Sequence, residues 1–198
     1  MKIYDISQEL FSCRVYPGDP APEKRLLRSM EAGESYNLTA FGMCAHNGTH
    51  IDAPFHFIRD GQTVDHMGLA PFVGQAYVAE HRGVVTAADA TAILEKARRE
   101  GKNAAERILI KGEAEVSCEA AQVFAEAGLR LLGNESQTVG PADAPMAVHL
   151  TLLGADVLLP GVIKFFSSDE WRAEFEEWKK ERNPILKNMP HNENNPQK

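Results

Sequence analysis

Cysteine is scarce in this chain of 198 residues: Cys13, Cys44 and Cys118 are odd in number and far apart. That pattern excludes a disulfide framework and a cysteine-based zinc site. Cys44, two residues before His46, reads as a small buried hydrophobe or a neighbour of that histidine. Positive charge is in deficit too, with 21 Lys and Arg against 28 Asp and Glu, a net charge of −7. The one short basic run, near Lys179, lies in an otherwise acidic stretch, so no nucleic-acid partner is expected. No apolar run approaches the ~20 residues of a membrane span, so no membrane partner is expected either. Met1-Lys2-Ile3-Tyr4-Asp5 has an acid where a signal peptide carries its apolar region, and a cytoplasmic location is expected. A Gly-x-Ser-x-Gly elbow is also missing, which argues against serine-hydrolase chemistry.

Hydrophobic residues at 43% and charged residues at 25% fit a soluble globular chain of one main domain. The first half reads as strands: Lys2 to Ser7, Arg25 to Met30, Tyr36 to Met43, the segment around His50, and Gln75 to Glu80. The cluster Tyr16-Pro17-Gly18-Asp19-Pro20 is a turn, and Asp65 to Phe72 reads as loop. In the second half helix and strand alternate. Thr86 with Asp89 forms a capping box for a helix to Arg99, and Ser117 starts another that runs to Ala127. Asp143 is expected to cap a third, which carries Met146, His149, Leu150 and Leu153. Arg107 to Lys111, Leu129 to Leu132 and Val157 to Leu159 are the intervening strands. The pattern predicts an α/β fold with a β-rich first half and helices packed on the sheet. In the tail, Ser167 and Glu170 cap an amphipathic helix with Trp171, Phe175 and Trp178 on one face, and Asn183-Pro184 ends it. From about Asn188 the chain is expected to be disordered. The domain reading is therefore 1–166, then a divergent charged segment, 167–198.

Residues 46 to 56 read His46-Asn47-Gly48-Thr49-His50-Ile51-Asp52-Ala53-Pro54-Phe55-His56. In an extended segment side chains alternate, so His50, Asp52 and His56 share a face. His46 joins them across the Asn47-Gly48 turn. Imidazole and carboxylate suit zinc, and also manganese or iron. The His46–His50 spacing also matches a helical zinc-protease pair, but Gly48 and Pro54 oppose a helix and no Glu follows His46. A lone histidine would suit a polar edge strand. Four potential ligands with few nearby Lys or Arg argue for a metal. His66 and His81 stand outside any motif and read as structural.

Residues His46, Gly48, Thr49, His50, Asp52, Pro54, His56 and Phe57 match the signature HxGTHxDxPxHF, and the chain resembles the metal-dependent cyclase family. That family includes bacterial-type kynurenine formamidases and isatin hydrolases. The likeness runs from about Met1 to Leu159, taking in Tyr4-Asp5-Ile6-Ser7, Tyr16-Pro17-Gly18-Asp19 and Met146 to Leu159. It implies a swivelling β/β/α domain and a homo-oligomer, dimer or tetramer. It makes His46, His50 and Asp52 ligands of one Zn²⁺ (or Mn²⁺) ion. Asp52 would bridge to a second ion, which His149 helps to hold. Without the resemblance, His149 on an apolar helix face would read as a core histidine. His56 would be the general acid/base, with a hydrogen-bonding role as its alternative. Tyr16 and Phe55 are the expected substrate contacts, Tyr16 being as well placed to close its turn. The implied activity is hydrolysis of an amide or formamide bond in a small aromatic or cyclic substrate. An isatin- or lactone-type hydrolase is the near alternative.

The chain also departs from the family. Leu158-Leu159-Pro160-Gly161 stands where the family has Leu-Glu-Gly, with the Glu as a metal ligand, and the spacing from His149 is one residue short. Pro160 cannot bind a metal. The loop Gly133 to Val139 has Glu135 where the family more often has Asp, and Thr138 where it has Ser. Three accounts follow: one ion only, a substitute acid such as Glu135 or one in the tail, or an altered C-terminal part that leaves a weakened or inactive enzyme. A non-catalytic metal- or small-molecule-binding protein is the alternative function.

Overall fold

The computed structural model describes residues 5–101, 103–142 and 145–164. Strands β1 (Glu23–Arg28) and β2 (Leu38–Gly42) pair antiparallel as a hairpin. Strand β3 (His50–Asp52) follows, and then β4 (Tyr77–Glu80) and β5 (Gly83–Val85). Helix α1 (Ala87–Glu100) leads to β6 (Arg107–Lys111) and β7 (Ala114–Val116), and helix α2 (Cys118–Glu126) to β8 (Leu131–Asn134). Helix α3 (Met146–Gly154) and β9 (Leu159–Gly161) complete the described part.

Three parallel strands, ordered β4-β6-β8, form the centre. Each parallel connection runs through a helix, as parallel pairing requires. Arg130 and Leu132 bond the backbone of Leu158, so the chain entering β9 continues this sheet beyond β8. Helix α1 packs on α2, and α2 on α3. The core lies between these helices and the sheet, around Ile108, Ile110, Leu132, Phe124, Val148 and Leu152, all essentially out of water.

The helix starts follow their local chemistry. Thr86 and Asp89 form the expected capping box, and the Ser117 hydroxyl accepts the Ala120 N–H. Strand β6 has the expected bounds, while β8 and β9 each begin two residues later than their periodicity suggests. Residues 5–7 form no strand, and the segment 64–72 holds two short 3₁₀ turns, Val64–His66 and Ala70–Phe72. The first half is accordingly less β-rich than expected. Helix α3 starts at Pro145 without a side-chain cap. Its expected cap, Asp143, the strand start at Lys2 and the tail helix lie outside the described residues.

One correction bears on the site. The ligand segment is not a single strand through His56. Strand β3 ends at Asp52, and Pro54–His56 forms a 3₁₀ turn with Pro54 at its first position. Proline's fixed φ suits a helical first turn and its missing N–H is not needed there. Gly61 packs on the Pro54 carbonyl so closely that a Cβ would stand 2.6 Å from its carbon. The turn is thus held from both sides.

Candidate active site

Asn47 and Gly48 make the turn into β3. The Asn47 N–H donates to Cys44 O at 3.1 Å, and Gly48 has a φ of +66°, open to glycine at little cost. This turn swings His46 back over the strand. Along β3, His50 and Asp52 alternate with the exposed Ile51, as the extended backbone demands. The Thr49 hydroxyl donates to Val162 O at 2.7 Å and accepts the Gln8 N–H at 2.9 Å. One hydroxyl therefore pins β3 to the chain after β9.

His46, His50 and Asp52 form one group whose ligating atoms lie within 4.8 Å of one another. His46 Nδ1 is 3.1 Å and His50 Nε2 3.6 Å from Asp52 Oδ1. On the other side His149 Nε2 is 3.6 Å from Asp52 Oδ2. The His50 Nδ1–H donates to Gly48 O at 2.9 Å, and the His149 Nδ1–H donates to Pro145 O at 2.8 Å. Carbonyls only accept, so each ring turns an Nε2 lone pair toward the carboxylate when neutral. Lone pairs facing a carboxylate need a cation between them, a proton or a metal.

Asp52 is 8% exposed, and its Oδ1 is buried with no hydrogen-bond partner. Burial alone would raise its pKa. His149, His46, His50 and His56 outweigh that and hold the carboxyl well below the usual carboxylate range. Its own contact with Asp52 raises the His46 pKa, against burial. Burial lowers that of His56, partly offset by Asp52. An ionised, underbonded carboxylate with three imidazoles fits a divalent cation.

The group faces a cavity of about 200 Å³ lined by Tyr16, Asp19, His46, Asp52, His56, Phe57, Gln137, Thr138, Pro145 and His149. The structure brings His56 here through the 3₁₀ turn. Its ring centroid is 4.3 Å from that of His46 and 6.1 Å from that of His149. Phe57 stacks on His149 at 4.7 Å. Phe55 is 58% exposed and does not line the cavity, whose aromatic wall is made by Phe57 and Tyr16. His50 lies behind, with a side chain 7% exposed.

Sequence reading did not single out Asp19, Gln137 or Phe57 as cavity residues. Asp19 had a signal in its turn, and Phe57 in the signature. Gln137 had none. Thr138 Oγ1 is, with Asp52 Oδ1, a buried side-chain oxygen without a partner. Pro160 sits in β9 opposite Ile51, with Gly161 opposite His50. The Glu135 carboxylate accepts the Gly112 N–H, and Glu135 lines a neighbouring groove rather than this cavity. Among the described residues, the group of ligating atoms within 4.8 Å of one another holds His46, His50 and Asp52 and no further acid, and Asp19 is the other acid lining the cavity. His66 is exposed and bonds Thr63, and His81 contacts Val84 O, both away from the site.

The chain is similar to several known proteins. The kynurenine formamidase of Bacillus anthracis is 32% identical over 162 residues, which cover 75% of each chain. A solved structure described as a potential metal-dependent hydrolase with cyclase activity superposes with a TM-score of 0.68 at 22% identity, covering 85% of both chains. Isatin hydrolase A from Labrenzia aggregata, bound to benzyl benzoate, gives a TM-score of 0.68 at 19% identity, covering 83% of this chain and 81% of that one. These two likenesses support the α/β cyclase-like fold. The family model described as putative cyclase matches residues 4–141. With that match and the formamidase relationship, the chain belongs to the putative cyclase family.

Proposed function

We propose that this protein is a metal-dependent hydrolase that cleaves the amide, in particular formamide, bond of a small aromatic or cyclic substrate. The observation that carries the reading is Asp52 Oδ1: buried, ionised, without a hydrogen bond, and set between His46 and His50 beside a cavity. The kinship with kynurenine formamidases supports the formamide. A divalent ion, Zn²⁺ or Mn²⁺, held by His46, His50 and Asp52 would bring the pKa of water toward about 7 and polarise the substrate carbonyl.

The chain's own residues supply the rest. His56, its pKa lowered by burial, is neutral at pH 7 and can take a proton from the attacking water. It then returns that proton to the leaving nitrogen. Tyr16, Phe57 and Pro145 offer apolar surface to an aromatic ring. His149 and Asp52 Oδ2 are the pair that would serve a second ion. Pro160 offers it no side-chain donor atom. That last point favours a second reading, a member of the family that binds metal or ligand without turnover.

The test is metal analysis of the purified protein with assays on N-formylkynurenine and isatin. Stoichiometric divalent metal, formamide turnover, and loss of turnover in His50→Ala and with chelator are expected. A protein that carries no metal, and gains no amidase activity with Zn²⁺ or Mn²⁺, would sink the proposal. Metal and ligand binding without turnover would select the second reading, and preference for isatin would move the substrate to the cyclic class.

A further inference from the structure

Asn47 is 2% exposed, and both ends of its amide are used. Its Oδ1 accepts the Cys44 N–H at 2.8 Å, which closes the local turn. Its Nδ2 donates to Pro20 O at 3.3 Å, a contact that spans 27 residues of chain. Beside it the Cys44 thiol donates to Asp19 Oδ2 at 3.4 Å. The segment so gripped is the turn from Tyr16, closed by the Asp19 N–H on Tyr16 O. Just before the turn, Gln137 Nε2 donates to Arg14 O at 2.7 Å. Tyr16 and Asp19 line the cavity together with His46, which is next to Asn47 in the chain.

Closing a local turn explains only half of this side chain. An aspartate would close it as well, through the same oxygen. The donor toward Pro20 is what only the amide provides. We infer that Asn47 is a positioning residue that fixes the spacing between the Tyr16–Pro20 wall and the metal ligands, and thereby the fit of the substrate's ring. The inference rests on the proposed hydrolase reading for its kinetic part alone.

Asn47→Asp separates the two roles: it keeps the acceptor for Cys44 N–H and sets an acceptor against Pro20 O. Cys44→Ala removes the second grip, and Cys44→Ser restores a hydroxyl donor there. Hydrogen exchange by mass spectrometry is read on the amides of residues 14–19 and, separately, on 50–56, beside metal content. In Asn47→Asp, exchange of 14–19 is expected to quicken at least about tenfold while 50–56 and metal stoichiometry stay as in the parent. Cys44→Ala moves 14–19 in the same direction, and Cys44→Ser reverses it. With an aryl formamide as substrate, KM rises about tenfold in Asn47→Asp and kcat stays within about threefold.

Unchanged exchange of 14–19 overturns the inference. So does loss of metal together with protection at 50–56, because Asn47 would then serve the ligand turn itself. A fall in kcat at constant KM overturns it as well. If the parent protein turns over neither an aryl formamide nor isatin, the hydrolase reading fails, and exchange with metal content still decides the role of Asn47.

Discussion

Asp52 has to stay ionised in a place that discourages charge. Water would stabilise the carboxylate outside, and burial of an unpaired one is costly. Three imidazoles within 3.6 Å of its oxygens offset that cost and leave Oδ1 without a hydrogen bond. Thr138 shows the same economy on a smaller scale of energy. Its Oγ1 is buried and unpartnered, although the Asn134 side chain fixes the Thr138 carbonyl at 3.1 Å. A buried hydroxyl without a partner is a standing loss, so an isosteric apolar group should relieve it. Thr138→Val is expected to stabilise the ligand-free protein by about 1 kcal/mol, which is a Tm increase of about 2–4 °C. A lower Tm in calorimetry would show that the hydroxyl has a structural partner after all.

Strand β3 is only three residues long, yet it sets the ligand geometry because β9 lies against it. Gly161 faces His50 across that pair, and a Cβ there would stand 3.3 Å from His50 Cε1 and 3.4 Å from Nε2. The ring cannot retreat freely, since Gly48 O holds its Nδ1. Gly161→Ala is therefore expected to weaken divalent metal binding about tenfold, measured by competition with a chromophoric chelator. An unchanged affinity would mean that the ring can shift. Such reach across the fold is also what sequence reading resolves least. The starts of α1 and α2 were legible because their caps, Thr86 with Asp89 and Ser117, act within three residues. His50 and Asp52 were legible through strand alternation. The expected face for His56 was reached by a different backbone, because Pro54 opens a 3₁₀ turn that period-two reasoning does not contain. Gln137 meets the site only through long-range folding, and no local spacing announces it.

The β1–β2 hairpin pairs with itself and leaves Leu26 57% and Phe41 63% exposed. A two-stranded hairpin is marginal in water, and a run of exposed apolar residues marks a surface that gains by being covered. A homo-oligomer, dimer or tetramer, is the expected form. Light scattering should give a multiple of the chain mass, and Phe41→Glu should lower it. A monomer at micromolar concentration in the parent protein would remove this expectation. The fold has a further consequence in time. Thr49 Oγ1 meets Val162 O across 113 residues, and β3 finds its partner only in β9. Contacts so distant in sequence carry a high loop-closure cost and form late. As the chain leaves the ribosome, His46, His50 and Asp52 emerge early and wait for the rest. The pairing that fixes the geometry of the three side chains thus closes late in folding, after the side chains themselves have emerged.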